Sequence, residues 1–340
     1  MAESPQHPFM PAAIEAVSSA CSISRAVQAN LEAVRTATKD DRSPVTVADY
    51  AVQAIVALVL ADHLPEGDRL LIGEEDAAAL RGDDQAAIRG AVVEAVRAWR
   101  GTMSEEEILD AIDACDHEGS GSGYWVLDPV DGTKGFLRGQ HYAIALGRVE
   151  EGEVVAGVMG CPNLSIDQAH PLDDPDPQGV VYAASRGAGA WEFAACDPLT
   201  TPMRIVASQY ASQRPLHFCE SAERAHSNRG DAGRIIDTLE DVGEPARLDS
   251  QCKYALVARG QADAYLRLPT RADYIERAWD HAAGCCIAME AGAVVSDIEG
   301  RPLDFSHGAG LNKNRGVICA IDGLHQRIIE TIADLAIAQG

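Results

Sequence analysis

Apolar residues recur at helical spacing from about Met10 to Ala37, where Ile14, Val17, Cys21, Ile23 and Val27 form one stripe. Lys39-Asp40-Asp41-Arg42-Ser43-Pro44 breaks that pattern as a turn. Val47 to Leu60 reads as a second apolar helix, closed by Pro65 and Gly67. Arg69 to Ile72 reads as a short buried strand that runs into Gly73-Glu74-Glu75-Asp76. Residues 77–120 suggest helices with polar joints, and Gly119-Ser-Gly-Ser-Gly123 a flexible connector. That glycine run precedes a strand instead of opening a helix after one, so it is not a dinucleotide loop. Tyr124 to Leu127 is the strand that follows. His141–Arg148 and Val154–Met159 predict a hairpin turned at Glu150-Glu151-Gly152-Glu153.

Asp173 to Gly179, with two prolines and three aspartates, is the best linker candidate. It divides the chain into an N-terminal α+β domain (1–175) and a C-terminal α/β domain (176–340). Beyond it, short strands at Val180–Ala183, Arg204–Ala207 and Leu216–Cys219 alternate with helical stretches near 230–241, 279–291 and 323–338. The alternation predicts a layered α/β fold.

With 340 residues, 46% of them hydrophobic, the chain can bury a sizeable core. Its 52 acidic residues outnumber 28 Lys and Arg, giving a formal charge of -24. No basic run exists to neutralise a nucleic-acid backbone or to hold an anionic membrane. No apolar run reaches the roughly 18 residues of a membrane span. Most of the acidic side chains are expected to serve solubility. The nine cysteines lack a disulfide-like spacing, so all are expected to be free thiols, and a cytoplasmic location is expected.

Four acidic segments differ from ordinary surface charge: Asp49, Glu74-Glu75-Asp76, Asp128-Pro129-Val130-Asp131-Gly132-Thr133, and Trp279-Asp280. Asp128 ends the apolar Trp125-Val126-Leu127, and Asp49 and Asp280 sit beside apolar helical runs. Carboxylates held close to a core must be paired or bind metal. Magnesium selects oxygen ligands and needs only a few carboxylates. Pro129 stiffens the turn, so Asp128, Asp131 and an intervening carbonyl can face one point. Gly132 allows close approach of an anion, and N–H groups at Gly132 and Thr133 can cradle a phosphate. Two metals about 4 Å apart would flank an in-line displacement. Zinc spacings, a GxSxG elbow and a GxxxxGK[ST] loop are all missing. A water activated by metal is therefore expected in place of a covalent intermediate.

Asp128-Pro-Val-Asp-Gly-Thr133, the upstream Gly73-Glu-Glu75 and the downstream Trp279-Asp-His-Ala-Ala-Gly284 resemble the lithium-sensitive inositol monophosphatase superfamily. Four further stretches resemble its 3'(2'),5'-bisphosphate nucleotidases: Ser43-Pro-Val-Thr-Val-Ala-Asp49, Gly132-Thr-Lys-Gly-Phe-Leu-Arg-Gly139, Asp249-Ser-Gln-Cys-Lys-Tyr254 and Ala264-Tyr-Leu-Arg-Leu-Pro269. The resemblance implies an α/β/α/β/α sandwich and two or three magnesium ions. It also implies inhibition by lithium or sodium and a place in sulfur metabolism. The implied reaction hydrolyses adenosine 3',5'-bisphosphate to AMP and phosphate, with 3'-phosphoadenylyl sulfate as a second candidate substrate. Glu74, Asp128, Asp131, Asp280 and the Val130 carbonyl match its metal ligands. Asp49 and Thr133 match the pair that orients and deprotonates the attacking water, with Glu74 assisting; Glu75 is a weaker ligand candidate. Gly132, Thr133, His226, Ser250, Lys253, Arg267 and Asp280 match substrate contacts. Bland alternatives exist for three of these: a solvated helix charge for Lys253, a loop histidine for His226 and a structural ion pair for Arg267. Rival functions are an inositol phosphate phosphatase with the same metal site and a catalytically silent nucleotide-binding regulator.

Overall fold

A computed structural model describes residues 7–31, 43–121, 123–211, 214–221, 230–239, 241–269, 271 and 273–337. Helix α1 (Met10–Ala29) buries the whole expected stripe of Ile14, Val17, Cys21, Ile23 and Val27. It packs along α2 (Ser43–His63), whose Val47, Ala51, Val52, Ile55, Val56, Val59 and Leu60 are all buried. The apolar run of α2 is longer than the sequence reading allowed. Thr46–His63 meets the length and hydropathy of a membrane span. Here α1, α3 (Ala86–Trp99), α4 (Glu105–Asp113) and the first sheet take up its faces, so it packs as a core helix. Residues 77–120 thus belong to this outer layer through Val92, Val93, Val96, Ile108, Leu109 and Ile112. Ser104 opens α4 with a reciprocal capping box: its Oγ accepts the Glu107 N–H and the Glu107 carboxylate accepts the Ser104 N–H.

The first sheet has seven strands in chain order: β1 (Leu71–Ile72), β2 (Tyr124–Asp131), β3 (Ala143–Glu150), β4 (Glu153–Cys161), β5 (Val180–Ser185), β6 (Gly189–Ala194) and β7 (Met203–Ile205). Only β1 and β2 pair in parallel; each later pair is antiparallel. The β3–β4 hairpin turns at Glu151 and Gly152, both with positive φ, as short hairpin turns require. Both faces of the sheet are covered, so Trp125, Val126 and Leu127 are all fully buried: Trp125 and Leu127 face the α1/α2 core and Val126 the opposite one. Asp173–Gly179, expected as an interdomain linker, joins the neighbouring strands β4 and β5 inside this sheet. The chain leaves the first sheet only after Ile205. The glycine-rich connector is also packed: a Cβ on Gly119 would stand 2.3 Å from the Gly308 Cα.

The second sheet runs in the order β11 (Ala293–Ser296), β12 (Val317–Ile321), β10 (Ala264–Arg267), β8 (Phe218–Glu220), β9 (Ala246–Arg247). Between the sheets lie α7 (Cys252–Ala258) and α8 (Ala282–Glu290); outside the second sheet lie α6 (Asp231–Thr238) and α9 (Leu324–Asp334). A five-residue helix, α5 (Thr133–Leu137), follows β2. The layers are therefore α/β/α/β/α. Small residues let α8 sit directly on the hairpin: Cβ atoms on Gly147 and Gly157 would fall 2.6 Å from the Ala282 Cβ and 2.8 Å from the Ala283 carbonyl oxygen. That seat brings the start of α8, and Asp280 just before it, beside the end of β2.

Candidate active site

In a regular strand, residues three apart point to opposite faces. Asp128 and Asp131 escape this because β2 is bulged between them. Asp128 pairs with Ala145 and Asp131 with Ala143, so three steps on β2 match two on β3. The extra residue returns both carboxylates to one face. Pro129 has no N–H to donate, and the bulge is where a strand tolerates that. Gly132 then takes φ 92, a left-handed conformation, and lies so close to Ser250 that a Cβ would meet the Ser250 Cβ at 2.9 Å. Thr133, exposed, opens α5.

Glu74 reaches the same place by parallel pairing. Ile72 is the partner of Val126, and two residues beyond them come Glu74 and Asp128. Asp49 arrives from α2 and Asp280 from the segment before α8. The five carboxylates share one field: Asp131, Glu74, Asp280 and Asp49 all raise the pKa of Asp128. Burial is the first cause of that rise, and also of the upward shifts of Asp49 and Asp131. Loss of water on its inner side, then Glu75, Asp280 and Asp131, push Glu74 up to about 7, while its outer side stays exposed. Asp128 is 4% exposed, Asp49, Asp131 and Asp280 are half-buried, and Glu74 is exposed. Asp128 Oδ1 is buried and has no hydrogen-bond partner among the described residues. A buried carboxylate oxygen without a partner, among acceptors of like charge, fits a cation that completes the group. The donors are carboxylates plus the carbonyl of the buried Val130, all hard oxygen atoms suited to a hard divalent ion.

The cationic side comes from α7 and β10. Lys253 is not a solvated helix charge. It is 8% exposed, with its ammonium 5.2 Å from the Tyr265 ring centroid. Burial lowers its pKa, and the nearby Asp131 works against that shift. Arg267 is held by two ion pairs: Nε lies 2.8 Å from Glu276 and Nη2 2.7 Å from Asp280. Ser250 sits in the turn before α7 with φ 71, rare for a residue with a side chain, and its hydroxyl accepts the Cys252 N–H at 3.2 Å. His226 lies outside the described residues.

Several working residues escaped the sequence reading. Glu276, Asp280 and His281 bring ligand atoms within 4.8 Å of one another, a grouping that resembles a metal site. Yet His281 uses both ring nitrogens, Nδ1 with the Tyr254 hydroxyl at 2.8 Å and Nε2 with Glu276 at 3.2 Å. Arg267 and His281 also hold the Glu276 carboxyl below its usual range despite burial. The trio is therefore an internal ion-pair network that carries Arg267, and Asp280 alone of the three faces the other acidic groups. Gln53 and Gln251, both buried, fasten the Glu75 backbone and the Trp279–Gly284 segment. The spacing of Gln53 four residues after Asp49, on one helix face, was the available signal. Gln251 stood inside the quoted Asp249–Tyr254 stretch.

Comparison with known proteins gives this arrangement a context. The profile of the inositol monophosphatase family matches residues 6–335. A protein of Schizosaccharomyces pombe named 3'(2'),5'-bisphosphate nucleotidase is 40% identical over 305 residues, 87% of this chain and 85% of the relative. One of the same name from Oryza sativa is 40% identical over 335 residues, 95% of this chain and 93% of the relative. Among solved structures, an inositol monophosphatase from Anabaena superposes with a TM-score of 0.59 at 17% identity, covering 96% of this chain and 95% of its own. CysQ from Bacteroides thetaiotaomicron superposes at 0.59 and 20% identity, covering 91% of this chain and 96% of its own. At those identities the structures attest the fold, whereas the family profile and the two relatives cover most of the sequence. This chain belongs to the inositol monophosphatase family.

Proposed function

We propose that this chain is a magnesium-dependent 3'(2'),5'-bisphosphate nucleotidase that hydrolyses adenosine 3',5'-bisphosphate to AMP and phosphate. One observation carries the chemistry: Asp49, Glu74, Asp131 and Asp280 gather around Asp128, whose buried Oδ1 has no hydrogen-bond partner among the described residues. The nucleotidase names of the relatives at 40% identity support the substrate over an inositol phosphate.

Glu74, Asp128, Asp131, Asp280 and the Val130 carbonyl would hold two or three magnesium ions, which supply an acidified water and neutralise charge on the transferring phosphoryl group. Asp49, its pKa raised by burial and by Glu75 and Glu74, is the proton acceptor for the attacking water, and Thr133 orients that water. N–H groups at Gly132 and Thr133 cradle the scissile phosphate. Lys253 and Arg267, with Ser250 and His226, meet the rest of the nucleotide; both cations can neutralise a second phosphate. The overall charge of -24 does not forbid an anionic substrate, since fields are screened over about 8 Å at physiological salt. All nine cysteines are buried and unpaired, which supports work in a reducing compartment such as the cytoplasm.

A substrate panel tests the reading. Steady-state phosphate release should favour adenosine 3',5'-bisphosphate over inositol monophosphate; equal or reversed rates favour an inositol phosphatase. Tight magnesium-dependent nucleotide binding without turnover would instead mark a silent regulator. Lithium at millimolar concentration is expected to inhibit by competing for one magnesium position, and unchanged phosphate release at that concentration counts against it.

A further inference from the structure

Two buried glutamines grip the acidic segments without adding to their charge. Gln53 is completely buried on α2, one turn after Asp49. Its Nε2 donates to the carbonyls of Glu75 at 2.7 Å and Ile112 at 3.3 Å, and its Oε1 accepts the Glu75 N–H at 3.0 Å. Gly73 makes room for this amide, since a Cβ there would stand 2.4 Å from Oε1. Gln251, 2% exposed, does the same on the other side of the cleft. Its Nε2 donates to the Trp279 carbonyl at 2.9 Å and its Oε1 accepts the Gly284 N–H at 3.2 Å. Its own backbone N–H donates to Asp131 at 2.5 Å.

Each amide therefore clamps backbone beside a carboxylate: Glu75 follows Glu74, and Trp279 precedes Asp280. A primary amide offers a donor and an acceptor and no charge. A carboxylate in either place would add repulsion to the cleft, and an ammonium would pair with the groups the cation must meet. We propose that Gln53 and Gln251 are positioning residues that set the divalent-cation affinity of the cleft. They hold Glu74 and Asp280 in place before the ion arrives, so less ordering is left to oppose binding. Outer-sphere partners of this kind are typically worth ~10–100-fold in metal affinity. The inference rests on the cleft being a cation site, as proposed above.

Manganese binding without substrate, followed by electron paramagnetic resonance of the free ion, separates the possibilities. Gln53→Met and Gln251→Met keep side-chain length and remove the amide. Each is expected to raise the manganese dissociation constant ~10-fold or more. The magnesium concentration for half-maximal phosphate release should rise in parallel, with a smaller change in kcat at saturating magnesium. A purely structural role lowers the melting temperature in EDTA and leaves the dissociation constant unchanged, which overturns the proposal. If the methionine variants do not fold, Gln53→Asn and Gln251→Asn, one methylene too short to span either clamp, carry the same expectation. A parent chain that binds no manganese overturns the cation site and the clamps together. A parent that binds while every variant binds equally overturns the clamps alone.

Discussion

Asp131→Asn is expected to lower turnover at least 100-fold while leaving the fold intact. A factor of 100 corresponds to ~2.7 kcal/mol of lost transition-state stabilisation. Two features make the loss large. An amide oxygen carries no formal charge, so the substitution removes one of the few full charges available to a cation. Asp131 Oδ2 also accepts the Gln251 N–H at 2.5 Å. An asparagine that keeps this bond through its oxygen turns its NH2 toward the carboxylate cleft, where a cation would meet a donor. The fold should survive because β2 is held by its ladder and by the buried Trp125, Val126 and Leu127. The metal-free variant should melt at or above the parent, since one of five mutually repelling carboxylates is gone. Circular dichroism with a phosphate-release assay reads both results, and near-parental turnover would remove Asp131 from the chemistry.

The second large effect is a magnesium-dependent stability that grows with pH. Asp49, Glu74, Asp128 and Asp131 all have folded pKa values above their ordinary range, Glu74 at about 7. For an acid shifted upward, the unfolded chain loses its proton first, so folding is disfavoured progressively from about pH 4 through the folded pKa. The metal-free protein accumulates this repulsion across neutral pH. A divalent ion binds the deprotonated form and reverses it. At about 100 times its dissociation constant the ion contributes ~2.7 kcal/mol. His7, His141 and His325, whose pKa values burial lowers, act in the opposite sense: their contribution is complete above about pH 6.5 and is lost below it. They do so with and without metal, so they cancel in the difference. The gap between melting temperatures in magnesium and in EDTA should therefore be small at pH 5 and widest near pH 8. A gap that is constant over that range, or zero, would separate the raised carboxylates from cation binding. Asp128→Asn should narrow the gap and raise the EDTA curve.

How far the sequence could be read follows from the range of each interaction. The α1 stripe, the β3–β4 turn and the acidic segment from Asp128 to Thr133 are local patterns, and they stand where the residue order put them. Asp173–Gly179 misled because a proline- and aspartate-rich stretch looks alike between domains and between adjacent strands; only the pairing of β4 with β5 distinguishes them. Residues 77–120 show no motif, and α3 and α4 contribute buried apolar side chains to the outer layer. Lys253 reads in the sequence as a substrate contact with a solvated helix charge as the alternative, and its burial against Tyr265 depends on a strand that follows it in the chain. Arg267 could be read as a substrate contact or an ion pair, and the positions of Glu276 and Asp280 decide its present partners.

By itself the sequence determined the local chemistry: acidic oxygen donors, a stiffened turn with a glycine after it, and nine thiols. Those properties belong to residue types and to spacings of a few positions, which short-range geometry translates directly. Only the tertiary structure decided which carboxylates share a cleft. Asp49 and Asp280 both approach Asp128, the first from α2 on one face of the first sheet and the second from the segment before α8 on the other, and Glu74 approaches Asp128 because β1 runs parallel to β2. The same packing left Asp128 Oδ1 without a donor among the described residues, an unmet acceptor that exists only once distant segments are brought together.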